Sequence, residues 1–325
     1  MSTMIKEPLT PATAQFLKET LYGLSATPKF MHSKYFYDER GDYIFQQIME
    51  MEEYYLTKAE MDILSKQSGE ISTVLMETAS PFDLIELGAG DATKSVHLLK
   101  ELLSRKADFR YLPIDISAHV ISDLEEQLPA KLPGLNIIGL NGDYLDMLQE
   151  AAETADRRKV ILFMGANIGN MSPAEARQFC MDLKAHMSKD DILIIGFDLK
   201  KEPKQILAAY DDANGITSAF NMNLLHRINS ELDGEFNLNN FEHYASYDPE
   251  SGACKSYLIS LKDQVVKIGD SASISFTKNE HIFMEISQKY ALNEITQLAS
   301  STGFMLHRNF FDQHEYFVDS IWKVG

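Results

Sequence analysis

From residue 82 to residue 199 short apolar runs alternate with segments of helical periodicity. The first run, "FDLIELGAG", ends in glycines ahead of the helical "ATKSVHLLKELL". "FRYLPIDIS" follows, with Ser117 predicted to cap "AHVISDLEEQL", and then "LNIIGLNGD" leads into "YLDMLQEAAE". "KVILFMGANIG" precedes a capping box from Ser172 to Glu175 that opens "ARQFCMDLKAHM", and "DILIIGFDL" completes the series. Runs that are apolar throughout, instead of alternating, belong to strands buried on both faces. Strands and helices taking turns at this spacing imply right-handed crossovers and a parallel, doubly wound α/β sheet.

The rhythm differs on either side. Thr10 is an N-cap followed by Pro11 at the first helical position of "ATAQFLKETLYGL". In "TKAE", Thr57 and Glu60 have capping-box spacing ahead of a long helix through "MDILSKQSGEISTVLM". Beyond Leu199, "KQILAAYDDANGITSAFNMNLLHRINSEL" reads as helix interrupted at Asn214-Gly215. A strand-rich region then runs to "HIFMEISQKY", with turns at Pro249–Gly252 and Gly269-Asp270. The helix "LNEITQLASSTGF" and the strands "MLHRNFFDQ" and "YFVDSIWKV" close the chain. The predicted division is a nucleotide-type core over 59–200 plus 286–325, and a second α+β lobe from 1–58 plus 201–285.

Composition narrows the partners. Of 325 residues 45% are hydrophobic and 24% charged, as in ordinary globular proteins. The net charge of -18 argues against nucleic acid or an anionic membrane surface, and suits a cationic or zwitterionic small molecule better. Two cysteines, Cys180 and Cys254, supply neither a disulfide framework nor metal-ligand spacing, and Cys180 reads as a buried helical thiol. The start "MSTMIKEPLT" lacks the apolar core of a signal peptide, and no run reaches membrane-spanning length. The expectation is a metal-free cytoplasmic protein.

Candidate chemistry gathers at strand ends. Gly88 and Gly90 permit close backbone approach to a ligand, and the helix that follows offers free N–H groups. A dinucleotide fingerprint would place glycine where Thr93 stands; with Glu86 leading, the loop looks more like one that holds S-adenosylmethionine. Asp115 ends the second strand, where a carboxylate accepts from both ribose hydroxyls. Asp143 ends the third and can meet an adenine amino group, with Tyr144 packing beside the ring. Further candidates are Tyr54-Tyr55, Asn167, Asn170 and Tyr210-Asp211-Asp212, each also readable as core, turn or helix end. In "HIFMEISQKY", period two sends Ile282, Met284 and Ile286 to one face and Phe283, Glu285 and Ser287 to the other. That window alone leaves open whether Glu285 and Ser287 face water or a ligand.

The stretches "KYFYDERG", "EEYYLTKAE", "IELGAGDATKS", "PIDIS", "GDY", "GANIGNMSP", "DLKK", "AAYDDANGITSAFNMNLLHRIN", "FEHYA" and "MEISQKY" occur in one order over nearly the whole chain. In them the chain resembles the histidine-specific Nα-methyltransferases of the ergothioneine pathway, which convert L-histidine to its trimethylated betaine, hercynine. The resemblance implies a Rossmann-like class I methyltransferase core with an inserted substrate-binding lobe, acting as a monomer. It implies that Gly88, Lys94, Asp115, Asp143 and Tyr144 hold S-adenosylmethionine. It also implies that Tyr54, Asn170 and Tyr210 hold the amino-acid end of histidine, and that Glu285 and Ser287 hold the imidazole. Tyr37 would stand near the substrate amine, so Tyr37 and Asn170 are the catalytic candidates. Ser256 departs from the pattern, standing where a methionine is expected against the substrate ring. Relatives of the group methylate other aromatic amino acids, so the alternatives are another amino-acid substrate or a non-catalytic donor-binding protein.

Overall fold

The computed structural model describes residues 10–153, 157–270 and 272–325. In chain order the first elements are α1 (Pro11–Ser25), β1 (Lys29–Phe30), α2 (Glu39–Glu50), α3 (Tyr55–Leu75), β2 (Phe82–Leu87), α4 (Ser95–Ser104), β3 (Phe109–Asp115) and α5 (Ala118–Lys131). They continue with β4 (Leu140–Asn141), α6 (Tyr144–Glu153), β5 (Arg158–Phe163), α7 (Pro173–Ala185), β6 (Ile192–Asp198), α8 (Pro203–Ala208) and α9 (Ile216–Glu231). The remainder are β7 (Phe241–Asp248), β8 (Ala253–Ser260), β9 (Gln264–Ile268), β10 (Ala272–Phe276), β11 (His281–Gln288), α10 (Leu292–Ser301), β12 (Phe304–Phe311) and β13 (Phe317–Val324). They fall into two compact units, residues 55–201 with 288–325 and residues 1–54 with 202–287.

The larger unit is built on a seven-stranded sheet of order β12-β13-β6-β5-β2-β3-β4. β2 pairs in parallel with both β3 and β5, so the strand order reverses at β2, the place where ligands bind in open α/β sheets. β13 runs antiparallel to β6 and to β12. Every residue of β2 and of β6 is buried, including Asp83, Glu86 and Asp198 among the apolar side chains. Their side chains join those of α7, α10 and β13 in a core that includes Ile161, Phe197 and Trp322. The predicted caps form: Ser117 accepts from Val120 N–H, and Ser172 and Glu175 close a reciprocal capping box.

Two expectations need correction here. The third strand shrinks to Leu140–Asn141, with an isolated bridge from Ile137 to Tyr111. It is the edge of the sheet with one neighbour, and Ile138 is exposed. Thr57 and Glu60 do not form a capping box either, because α3 already begins at Tyr55. Glu60 is instead fully buried and bonded to distant groups described below.

In the smaller unit the sheet order is β1-β11-β8-β7, with β1 parallel to β11 and β7 antiparallel to β8, and β9 and β10 form a separate hairpin. Thr10 caps α1 as predicted. The helical break falls between α8 and α9, where Gly215 takes φ 71°, a left-handed conformation that suits glycine. Ile282 and Met284 of β11 enter the core with Leu258, Phe220 and Leu224. Ile286, expected on the same apolar face, is only half-buried, whereas Ser287 and Gln288 are both buried. The alternation breaks there because the Ser287 hydroxyl is drawn inside by the Tyr210 phenol.

Candidate active site

At the carboxyl ends of β2, β3 and β4 the larger unit forms a cradle lined by backbone. Gly88 has φ 72°, and a Cβ placed on it would stand 2.6 Å from Tyr144 Oη. Gly90 has φ 52° and open space where a side chain would be. The Gly90 N–H donates to Asp115 Oδ2 at 3.3 Å, and the Ser117 N–H donates to Oδ1 at 2.9 Å. Asp143 Oδ1 accepts from Leu145 N–H at 3.0 Å and so opens α6. Burial, then the charges of Asp115 and Asp143, push the Tyr144 phenol up to about 12, so it stays a neutral donor at physiological pH. Gly88, Asp115, Asp143 and Tyr144 thus meet as a group. Lys94, at the N-cap of α4, directs its ammonium to Glu60. Glu86, read from sequence as the acidic lead of the loop, is buried and accepts from Ser95 Oγ and, at 2.6 Å, from Tyr111 Oη. Burial pushes its carboxyl up to about 7.

The loop after β5 forms a single 3-10 turn, Asn167–Asn170. Asn167 Nδ2 lies 3.6 Å from the position a Gly88 Cβ would take, which puts this side chain beside the glycine loop. Asn170, at the end of the turn, is exposed.

The smaller unit brings together side chains far apart in sequence. The Tyr210 and Ser287 hydroxyls are 2.7 Å apart and buried. The Tyr54 ring meets the Tyr210 ring edge-on at 6.3 Å. Glu285 Oε1 accepts from Asn221 Nδ2 at 3.3 Å, and the same amide donates to the Thr217 carbonyl at 3.1 Å. Asn221 Oδ1 is buried without a hydrogen-bond partner. Of the Asp pair beside Tyr210, Asp212 is a helix cap, accepting from Ile216 N–H at 2.9 Å and Thr217 N–H at 2.8 Å. Tyr37 belongs to another cluster, with ring centroids 5.5 Å from Phe45 and 5.6 Å from Phe220, and is 46% exposed. Ser256 is buried on β8 opposite Ala245 of β7.

Asn221 and Glu60 were missed as functional candidates. For Asn221 a signal existed: "FNMNLL" sets two asparagines in an apolar helical run, where each needs a buried partner. For Glu60 the sequence pointed to a helix start instead.

The sequence profile described as histidine-specific methyltransferase, SAM-dependent, matches residues 16–324. The chain belongs to that family. It is 33% identical over 281 residues to a histidine N-alpha-methyltransferase of Mycolicibacterium smegmatis, an alignment covering 86% of each chain. It is 29% identical to ergothioneine biosynthesis protein 1 of Schizosaccharomyces pombe, over 83% of this chain and 36% of that one. Among solved structures it resembles the magnesium protoporphyrin IX methyltransferase of Synechocystis at TM-score 0.46 and 12% identity, over 90% of this chain and 98% of that one. The fold is that of the class I methyltransferases, and the family's methyl donor is S-adenosylmethionine. The chemistry of the cradle fits such a donor, with open space at Gly90 beside the Asp115 carboxylate and the Tyr144 hydroxyl close against Gly88. No described helix is long and apolar enough to cross a membrane.

Proposed function

We propose that this protein transfers methyl groups from S-adenosylmethionine to the α-amino nitrogen of L-histidine, repeatedly, to give hercynine for ergothioneine synthesis. The observation that carries the reading is a pair of polar groupings that meet on β11, Ser287 with Tyr210 and Tyr54, and Glu285 with Asn221. A carboxylate and a hydroxyl two residues apart on one strand suit the two nitrogens of an imidazole. Glu285 accepts one ring N–H, held for the purpose by Asn221. Ser287, whose hydroxyl is already oriented by Tyr210, serves the other nitrogen. A hydrogen bond to a charged group contributes roughly 1.5–3 kcal/mol, equivalent to about ten- to a hundredfold in selectivity.

In this reading Gly88, Lys94, Asp115, Asp143 and Tyr144 hold the donor, while Tyr54, Tyr210 and Asn170 hold the amino-acid end of the acceptor. The donor supplies a methyl group already activated on a sulfonium, so the chain's own residues mainly align and accommodate. The acceptor nitrogen must be neutral when it attacks. In the same reading Tyr37, whose side chain is exposed, passes the departing proton to water. The exposed Tyr37 ring suits the growing ammonium cation.

Mass spectrometry of histidine incubated with enzyme and donor tests the proposal, with mono-, di- and trimethylated products expected in sequence. A panel that includes tryptophan and phenylalanine tests the consequence of Ser256. A faster rate on either would move the substrate away from histidine without changing the reaction.

A further inference from the structure

Glu60 lies on α3, fully buried, yet it carries two tertiary bonds at once. Its Oε1 accepts the backbone N–H of Gly165 at 2.6 Å, and its Oε2 pairs with the Lys94 ammonium. Gly165, at φ 75°, opens the loop that bears Asn167 and Asn170. Lys94 closes the glycine loop that begins at Gly88. One carboxylate therefore ties together two loops that are 105 and 34 residues away from it in sequence.

The surroundings leave room for the Glu60 side chain and set a cation against it. A Cβ on Gly196 would stand 2.5 Å from Glu60 Oε1, so β6 leaves room at that point only by carrying glycine. Burial works against the Lys94 ammonium, but the Glu60 carboxylate more than offsets this and holds the Lys94 pKa above its ordinary value. Asp319 is close by and has no hydrogen-bond partner on either oxygen. Burial, and then the negative charge of Glu60, push the Asp319 carboxyl well above the usual carboxylate range. Burying an ion pair is a poor way to gain stability, since desolvation cancels much of the attraction. The Lys94 side chain is also not sealed in, being 26% exposed. An ammonium has three N–H donors; with one given to Glu60, two can serve a ligand carboxylate.

We propose that Glu60 is a positioning residue of the donor site, orienting the Lys94 ammonium and the 165–170 loop for the carboxylate end of the donor. This rests on the reading above that Lys94 contacts the donor. Glu60→Gln keeps an acceptor for Gly165 N–H and the side-chain shape, but removes the charge that orients Lys94. S-adenosylhomocysteine, which retains the donor's carboxylate, is titrated by calorimetry into the full chain as wild type, Glu60→Gln, Lys94→Met and the double variant. Melting curves and circular dichroism establish that each is folded. Glu60→Gln is expected to weaken binding at least tenfold in the wild-type background and to have almost no further effect once Lys94 is methionine. It should raise the KM for the donor more than it lowers kcat. Should Glu60→Gln fail to fold, Glu60→Asp retains the charge with shorter reach and is expected to weaken binding severalfold, again only while Lys94 is present. Wild-type affinity in both Glu60 variants, or an equal loss with and without Lys94, would overturn the proposal. Wild-type protein that binds S-adenosylhomocysteine but does not methylate histidine would overturn the substrate reading and leave this test intact.

Discussion

Gly90 and Asp115 are 25 residues apart and meet backbone to side chain, whereas Tyr210 and Ser287 are 77 residues apart and meet side chain to side chain. The first contact typifies the cradle of the larger unit, which is built largely of amides, turns and helix caps at the ends of hydrogen-bonded strands. The sheet register holds most of them, while Lys94 and the 165–170 loop are tied together through Glu60. The second contact typifies the smaller unit, where Tyr210 holds Ser287 and meets Tyr54, and Asn221 holds Glu285. Loss of one there changes its neighbours, because a buried polar group left alone costs free energy. A donor common to many enzymes can be met by backbone geometry. Choosing among amino acids calls for side chains.

The firmness of the larger unit can be challenged at Asp198, the last residue of β6. It accepts from Tyr55 Oη at 3.0 and 2.9 Å, from Lys201 Nζ, and from Lys289 Nζ at 2.7 Å. Asp198→Ala leaves Lys289 fully buried with its countercharge gone. A loss of about 3–5 kcal/mol is expected, read from the denaturant midpoint. A change below 1 kcal/mol would mean that the strand ends are not the rigid frame described.

A pH effect of somewhat smaller size is expected from Glu86. Its folded-state pKa is raised from 4.5 to about 7, chiefly by burial. In the native state it binds a proton that the unfolded chain releases, so its contribution is fully present below about pH 4.5 and is lost as pH rises through 7. Between pH 5 and pH 8 wild type should therefore lose up to roughly 2–4 kcal/mol relative to Glu86→Gln. Parallel stability–pH curves for the two proteins would remove Glu86 as the cause.

Asp115→Ala sharpens the contrast from the donor side. Binding of S-adenosylhomocysteine should weaken by about 1.5–3 kcal/mol, while the melting temperature barely moves because the carboxylate sits at a strand end outside the core. An unchanged affinity in calorimetry would detach Asp115 from the ribose.

Glu285→Ala probes the polar side chains of the smaller unit, with an expected loss of about 1–3 kcal/mol in histidine affinity. Phenylalanine, which has no ring N–H to satisfy, should be affected far less, so the preference for histidine narrows. Asn221→Ala should produce a weaker version of the same narrowing, since it frees Glu285 without removing it. Full discrimination for histidine in Glu285→Ala would turn that carboxylate back toward water.

Much of this was legible before any coordinates. Unbroken apolar runs such as "DILIIGFDL" announced strands covered on both faces, and Thr10, Ser117 and Ser172 announced helix starts, because burial and capping are local demands. Asp115 closes β3 as its place in the run predicts, whereas Asp143 lies past the end of β4 and opens α6. The grouping of Tyr54, Tyr210, Glu285 and Ser287 was available only through resemblance to a family, since nothing in their spacing brings them together.

What the sequence determined by itself, then, is periodicity, termination and the order of elements, all governed by interactions within a few residues of each other. The tertiary structure alone decided where the long polar side chains ended up. Glu60 has the spacing of a helix cap but is buried against Lys94 and Gly165. Glu86 has the look of a ligand-loop carboxylate but hydrogen-bonds Ser95 and Tyr111. Asn221 gained a role only when α9 came to lie beside Glu285. A buried carboxylate or amide must find a partner, and which partner it finds depends on what the folded chain brings within 3 Å or so. That distance is set by packing across the whole unit, so no short window of sequence contains it.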